Sequence, residues 1–129
     1  MKTRLTTKGF APYLEAVAKA GRDVDAVSDE ALAAGGAVLL AGMTRRVPVD
    51  TGNLKDNLSC TDPVKDGNFH FVEVGINKGV DSKTARYANV QEFGSSDIAA
   101  HPYIRPALDE DMGKARAAMR KVFEQSGLI

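Results

Sequence analysis

The sequence predicts an α+β fold in which a small antiparallel sheet packs against a long N-terminal helix and a C-terminal helix. Three observations carry this. Residues 23–46 repeat apolar side chains every three or four positions, the helical period. Phe69-His70-Phe71-Val72-Glu73-Val74-Gly75-Ile76 alternates two sets of side chains, the period of a strand. Residues 106–125 return to the helical period. Two amphipathic helices around one alternating hairpin bury their apolar faces best as two stacked layers.

Composition sets the bounds. The chain has 129 residues, enough for one domain with a real core. Lysine plus arginine equals aspartate plus glutamate at 17 each, so bulk charge points neither to nucleic acid nor to an anionic membrane. Cys60 is the one cysteine, which excludes an intrachain disulfide and favours a reducing compartment. The longest apolar run, within residues 31–43, is broken by glycines and falls short of the roughly 18 residues of a membrane span. No apolar stretch follows the basic residues at positions 2–8, which argues against a signal peptide. Synthesis in the cytoplasm, without a membrane partner, is the resulting expectation.

Taken in order, residues 1–9 are polar and are expected to form a flexible N-terminus ahead of a single domain over residues 10–129. A first helix is expected over residues 10–19 from Phe10, Leu14, Val17 and Ala18, with Pro12 in its first turn and Gly21 ending it. In the helix over residues 23–46, Val24, Val27, Ala31, Ala34, Val38 and Ala41 form the main stripe, and Leu32, Leu39 and Met43 widen one flank. Ser28-Asp29-Glu30 offers a second start, so a bent pair of helices is an open alternative. Gly35-Gly36 in mid-helix implies either a weakened helix or something packed close against it. Arg45 and Arg46 suit the dipole at its C-terminus.

Pro48 then stops the helix, Asp50 or Thr51 can cap a new turn, Gly52 permits positive φ, and Leu54 can pin the corner to the core. Residues 57–61 and 69–76 read as a hairpin across the turn-rich segment 62–68. Residues 77–84 are polar and are expected to be a mobile loop. Residues 85–93 form a short helix with Tyr87, Val90 and Phe93 on one face, and Gly94 ends it. Ile98-Ala99-Ala100-His101-Pro102-Tyr103-Ile104-Arg105-Pro106 is extended and a candidate third strand. The last helix starts near Pro106 and buries Leu108, Met112, Ala115, Met119, Val122 and Phe123. Its acidic residues at 109–111 and the basic residues that follow match the dipole in sign.

Catalytic chemistry finds little support in these residues. Asp50-Thr51-Gly52 is the tripeptide of aspartic proteases, whose paired carboxylates share a proton across a dimer. Here it follows a basic helix end and precedes a polar stretch, where that chemistry needs apolar strands. Cys60 and His70 could be imagined as nucleophile and base on paired strands, but a small core cysteine and a surface histidine explain them more simply. The two histidines, 31 positions apart, have no metal-ligand spacing, and no phosphate-binding glycine loop occurs. The expectation is a non-enzyme with no catalytic residues, cofactor or metal.

Three patterns occur in order: Pro48-Val49-Asp50-Thr51-Gly52-Asn53-Leu54, then Tyr87-Ala88-Asn89-Val90-Gln91-Glu92-Phe93-Gly94-Ser95, then His101-Pro102-Tyr103-Ile104-Arg105-Pro106-Ala107. Placed between a long helix and a terminal one, they resemble the tail-completion, or tail-component, family of long-tailed bacteriophages over about residues 23–125. Ser95 and Tyr103 depart mildly from that pattern, which carries threonine and phenylalanine there. The resemblance implies a tail-terminator-like α+β domain and a structural virion protein of the head–tail neck. It would act in tail completion and head–tail joining as a ring, most simply a hexamer. Its partners would be other neck proteins and the tail tube, with DNA passing through the lumen without sequence specificity. It also makes Pro48, Asp50, Thr51, Gly52, Leu54, Tyr87, Ala88, Glu92, Phe93, Gly94, Pro102 and Pro106 structural. Glu92 is expected to bond backbone near Thr51 and Gly52, to pair with Arg105, or to be solvated. Lys78, Gly79, Asp81 and Lys83 form a candidate assembly loop that orders against a neighbouring ring. The competing readings are the aspartic protease and a phage-encoded regulatory protein that binds a cellular partner.

Overall fold

A computed structural model describes residues 2–48 and 53–127, the side chains of Asn53 and Gly127 excepted. The architecture is α+β, as expected, with helices against one face of a small antiparallel sheet. The elements are β1 (Lys2–Thr6), α1 (Ala11–Lys19), α2 (Val24–Arg46), α3 (Asn53–Asp56), β2 (Leu58–Cys60), β3 (Val64–Asp66), β4 (Phe69–Ile76), α4 (Ser82–Phe93) and α5 (Ile104–Gly127).

β4 is the central strand. β1 pairs with one edge of it, and β2 and β3 share the other, all antiparallel. Of its two alternating sets, His70, Val72, Val74 and Ile76 are buried under α2, while Phe69, Phe71 and Glu73 lie half-buried on the outer face. Two corrections to the sequence reading follow. Residues 2–6, expected to be flexible, form an edge strand with Leu5 turned into the core. The segment 62–68, read only as a turn, contains β3, three exposed residues paired with Phe69–Phe71.

α2 is one continuous helix of 23 residues, about 34 Å long, and the bend at Ser28 does not occur. Asp23 caps it, its Oδ1 accepting from the Ala26 N–H at 3.2 Å. Val47, extended at φ −66°, ψ 135° before Pro48, ends it. The core face is rotated from the expected stripe. Val27 and Ala31 are buried, but Ala34 and Val38 are only half-buried and Ala41 is exposed. The face instead runs through Ser28, Leu32, Gly35, Gly36, Leu39, Gly42 and Met43.

The glycines explain the rotation. A Cβ on Gly35 would come within 2.8 Å of Met119 Cγ on α5, one on Gly36 within 2.5 Å of Cys60 Sγ on β2, and one on Gly42 would overlap the Asp111 carboxylate. Close approach at these three points lets Leu32, Leu39 and Met43 become fully buried, at about 1.5–3 kcal/mol each. By length and composition α2 could also cross a membrane, contrary to the sequence reading, but half of its apolar window is buried in this core.

α5 begins at Ile104, two residues before the expected start, and the candidate third strand is absent: residues 98–103 form no strand. Ala107, Ala115, Met119 and Phe123 bury its inner face, with Phe123 against Phe10 at 5.3 Å between ring centroids. Leu108, Met112 and Val122 are half-buried at its margins. Asp111, read as a dipole-matching residue, lies two turns in and is buried. Arg46 Nη1 donates to its Oδ2 at 2.6 Å and Arg45 Nη2 approaches at 3.2 Å, while Arg46 Nη2 reaches Glu110 at 2.5 Å. The arginines thus clamp α2 to α5.

His70, expected at the surface, is buried. Its Nδ1 lies 2.8 Å from Asp29 Oδ1 and its Nε2 3.1 Å from Asp25 Oδ1, tying β4 to the start of α2. A hydrogen bond from Lys65, then one from His70, holds the Asp25 carboxyl below its ordinary value.

Two outcomes test this packing. Gly36→Ala is expected to destabilise the protein, because overlap with the Cys60 thiol outweighs the roughly 1 kcal/mol helix-propensity gain. In a Cys60→Ala background the same change becomes stabilising by about that amount. A urea-unfolding cycle of the four variants reads the sign reversal, and additivity would mean that the thiol simply moves aside.

The second outcome concerns acid. Hydrogen bonding to Arg46 holds the Asp111 carboxyl below its ordinary 3.8. Its contribution to stability is therefore complete above about pH 4 and is lost as pH falls through the lower folded value. Melting curves from pH 5 to pH 2 should show a shallower acid decline in Asp111→Asn than in the natural chain.

Candidate functional site

Of the three sequence patterns, the second and third meet in the folded chain. α4 starts at Ser82, three residues earlier than expected, because the Asp81 side chain caps it by accepting from the Thr84 N–H at 2.7 Å. Its buried residues are Thr84, Ala88, Gln91 and Glu92. The face expected from Tyr87, Val90 and Phe93 is rotated: Tyr87 and Val90 are half-buried and Phe93 is 70% exposed.

Glu92 organises the junction. It is 6% exposed. Its Oε1 accepts from the backbone N–H groups of Tyr103 at 3.0 Å and Ile104 at 2.8 Å, and its Oε2 from that of Arg105 at 3.0 Å. These are donors at the start of α5, which no intrahelical carbonyl can satisfy. A carboxylate there meets both the donors and the positive end of the helix dipole. The expected bonds to backbone near Thr51 and Gly52 lie outside the described residues, and the link to Arg105 is to its backbone N–H.

Tyr103 completes the joint. It is fully buried and its hydroxyl donates to the Ala88 carbonyl at 3.3 Å. Burial first, then the charge of Glu92, pushes its hydroxyl up to about 12. The His101 N–H donates to the Gln91 carbonyl at 2.7 Å, so three successive stretches of the third pattern are fastened to α4. Gly94 closes the turn with φ 76°, and a Cβ there would sit 3.0 Å from both Ala100 N and Ile98 O. Pro102 is exposed and Pro106 half-buried, where their rings cost the helix no backbone donor.

Of the first pattern, Pro48 is half-buried and Leu54 on α3 is 1% exposed. Asp50, Thr51 and Gly52, the residues of the protease reading and of the expected cap, lie outside the described residues. The expected loop 77–84 is shorter than read. Ser82, Lys83 and Thr84 are helical, and the irregular part is anchored by the Asn77 N–H donating to the Asn57 carbonyl at 2.8 Å and by a hydrogen bond between Ser59 and Asn77. Gly79 has φ 84°, and Lys78 and Lys83 are exposed.

Other chemistry is poorly served. Cys60 sits opposite Val74 on β4, four residues along the strand from His70, about 13 Å. Burial and the charge of Asp62 push its thiol above the ordinary range, away from the thiolate a nucleophile needs. Among the described residues no three His, Cys, Asp or Glu side chains group as metal ligands. The groove beside Phe93, of about 280 Å³, is lined by Lys2, Glu92, Phe93, Ile104, Arg105 and Leu108. Its floor is apolar, and two cations stand at its rim. The groove is one of several open ones among the described residues.

Residues 8–94 match the model of the family described as "Bacteriophage HK97-gp10, putative tail-component". The match takes in the first sequence pattern and the second as far as Gly94, and the third lies beyond it. No curated protein and no solved structure matches the chain. The chain belongs to this HK97-gp10-like family of phage tail components.

Glu92→Gln keeps the shape of the cap but removes its charge and one acceptor. It should cost about 1.5–3 kcal/mol in urea unfolding, the range for bonds to a charged group. Gly94→Val should cost about 1–3 kcal/mol through backbone strain at positive φ. An unchanged melting temperature in either variant would show that the joint does not hold α5 in place.

Proposed function

We propose that this chain is a structural protein of the virion neck, which completes the tail and joins it to the head as a ring, most simply a hexamer. The single observation that carries this is the match of residues 8–94 to a tail-component family. The order of the three patterns supports the finer placement, since it resembles tail-completion proteins. A site built from caps, a buried tyrosine and a cation-rimmed groove suits assembly better than turnover.

In this reading the second and third patterns have one job. They hold α4, the Gly94 turn and the start of α5 as a rigid corner, so that Phe93 is presented outward rather than lost to the core. The ring's partners are further copies, other neck proteins and the tail tube. DNA passes through the lumen, and a chain of balanced charge makes only weak, salt-sensitive contact with phosphates. Lys78 and Lys83, with Gly79 and Asp81 between them in the loop and cap, are the residues proposed to meet a neighbouring ring.

Purified virions provide the test. The protein is expected in them by mass spectrometry, and electron microscopy of tails incubated with pure protein should show added density at one end. Absence from particles would favour a regulatory protein acting on a cellular partner. Cleavage of casein at acid pH, blocked by an aspartyl inhibitor and lost in Asp50→Asn, would establish the protease instead.

A further inference from the structure

Among the described residues, three large apolar side chains stand out in solvent: Val64 at 49%, Phe93 at 70% and Ile98 at 48% exposed. Two of them have complementary surroundings. Phe93 borders the groove whose rim carries Lys2 and Arg105, and neither cation forms an ion pair with another described residue. The one carboxylate in that groove, Glu92, already has both oxygens bonded to the start of α5. Val64 on β3 is flanked by Asp62 and Asp66, both exposed and without an ion pair among described residues. Lys65, the cation between them, is turned away to Asp25 at 3.1 Å. One patch is thus an apolar socket with a positive rim, and the other an apolar knob flanked by Asp62 and Asp66, with Arg4 and Lys8 lining the cavity on the far side of Asp66.

The two patches cannot meet within one chain. Lys2 lies opposite Gly75 on one edge of β4, and Val64 lies opposite Phe71 on the other edge. The separation is about 13 Å along β4 and roughly two strand spacings, near 10 Å, across it. We infer that copies of this chain meet head-to-tail, with Val64, Asp62 and Asp66 of one copy seated against Phe93, Lys2 and Arg105 of the next. Because the patches differ and lie on opposite edges, the contact is heterologous, and its repetition closes a ring when the rotation allows. The inference rests on the ring reading above and adds which surfaces form it. Charge pairing at the rim fixes partner orientation, and like charges there oppose contact.

The test exploits the asymmetry. One variant carries Asp62→Lys with Asp66→Lys, and another carries Lys2→Glu with Arg105→Glu. Each alone sets like charges against each other and should lose ring formation on purified tails by roughly tenfold or more, measured by electron microscopy. An equal mixture alternates the two chains, restores every charge pair and should recover rings, which must then have an even number of subunits. Thermal melting establishes that each variant is folded. If both variants assemble alone as the natural chain does, the surfaces are wrong and the ring stands. A mixture that stays inactive while both variants melt normally also overturns the inference. If the natural chain itself forms no ring on tails, the ring reading fails together with it.

Discussion

The backbone N–H groups at the start of α5 have no carbonyl partners within the helix, and the structure gives three of them to one side chain. Glu92 is the last buried residue of α4, so by accepting from Tyr103, Ile104 and Arg105 it fixes where α5 begins and which way it points. Everything packed on α5 depends on that start: Met119 against Gly35, Phe123 against Phe10, and Asp111 against Arg46. An uncompensated carboxylate at 6% exposure would be costly. Here burial and bonding stabilise each other, because the low-dielectric setting strengthens the bonds that the charge makes.

The second constraint is closeness. α2 approaches the sheet on one side and α5 on another, and glycine is present at three points where a methyl group would overlap a neighbouring side chain. At Gly42 the space is filled by a carboxylate instead, with Arg46 bridging it to the Gly42 carbonyl at 2.9 Å. Ion pairing and apolar packing therefore share one helix interface. Removing one partner of such a buried pair is more damaging than its net worth suggests, since the other charge stays behind.

Together these constraints divide the molecule into a fixed interior and a displayed surface. The corner built from Glu92, Tyr103 and Gly94 is rigid for reasons internal to the chain, and Phe93 is carried on it at 70% exposure. A protein whose task is to be one part of a larger tail needs this arrangement, because an interface residue on a mobile segment would lose ordering entropy at each contact.

By itself the sequence determined the fold class, the spans of α1, α2 and β4, and the resemblance to a phage tail component that the family match bears out. These are local or periodic signals: a 3.6-residue repeat, a two-residue repeat, Pro48 as a stop and Gly94 as a cap. Tertiary structure decided what periodicity leaves open. The rotation of α2 depended on which neighbours could come close to Gly35, Gly36 and Gly42, which no single helix encodes. The strand at Lys2–Thr6 forms because β4, more than 60 residues later, offers an edge. One apolar residue, Leu5, among polar neighbours is too little pattern to mark a strand. Glu92 was recognised as notable, yet its partners lie 11 to 13 residues away across a loop, and a carboxylate in a sequence does not say which backbone will be brought to it. Only the folded chain, by placing α5 at the end of α4, supplied the donors.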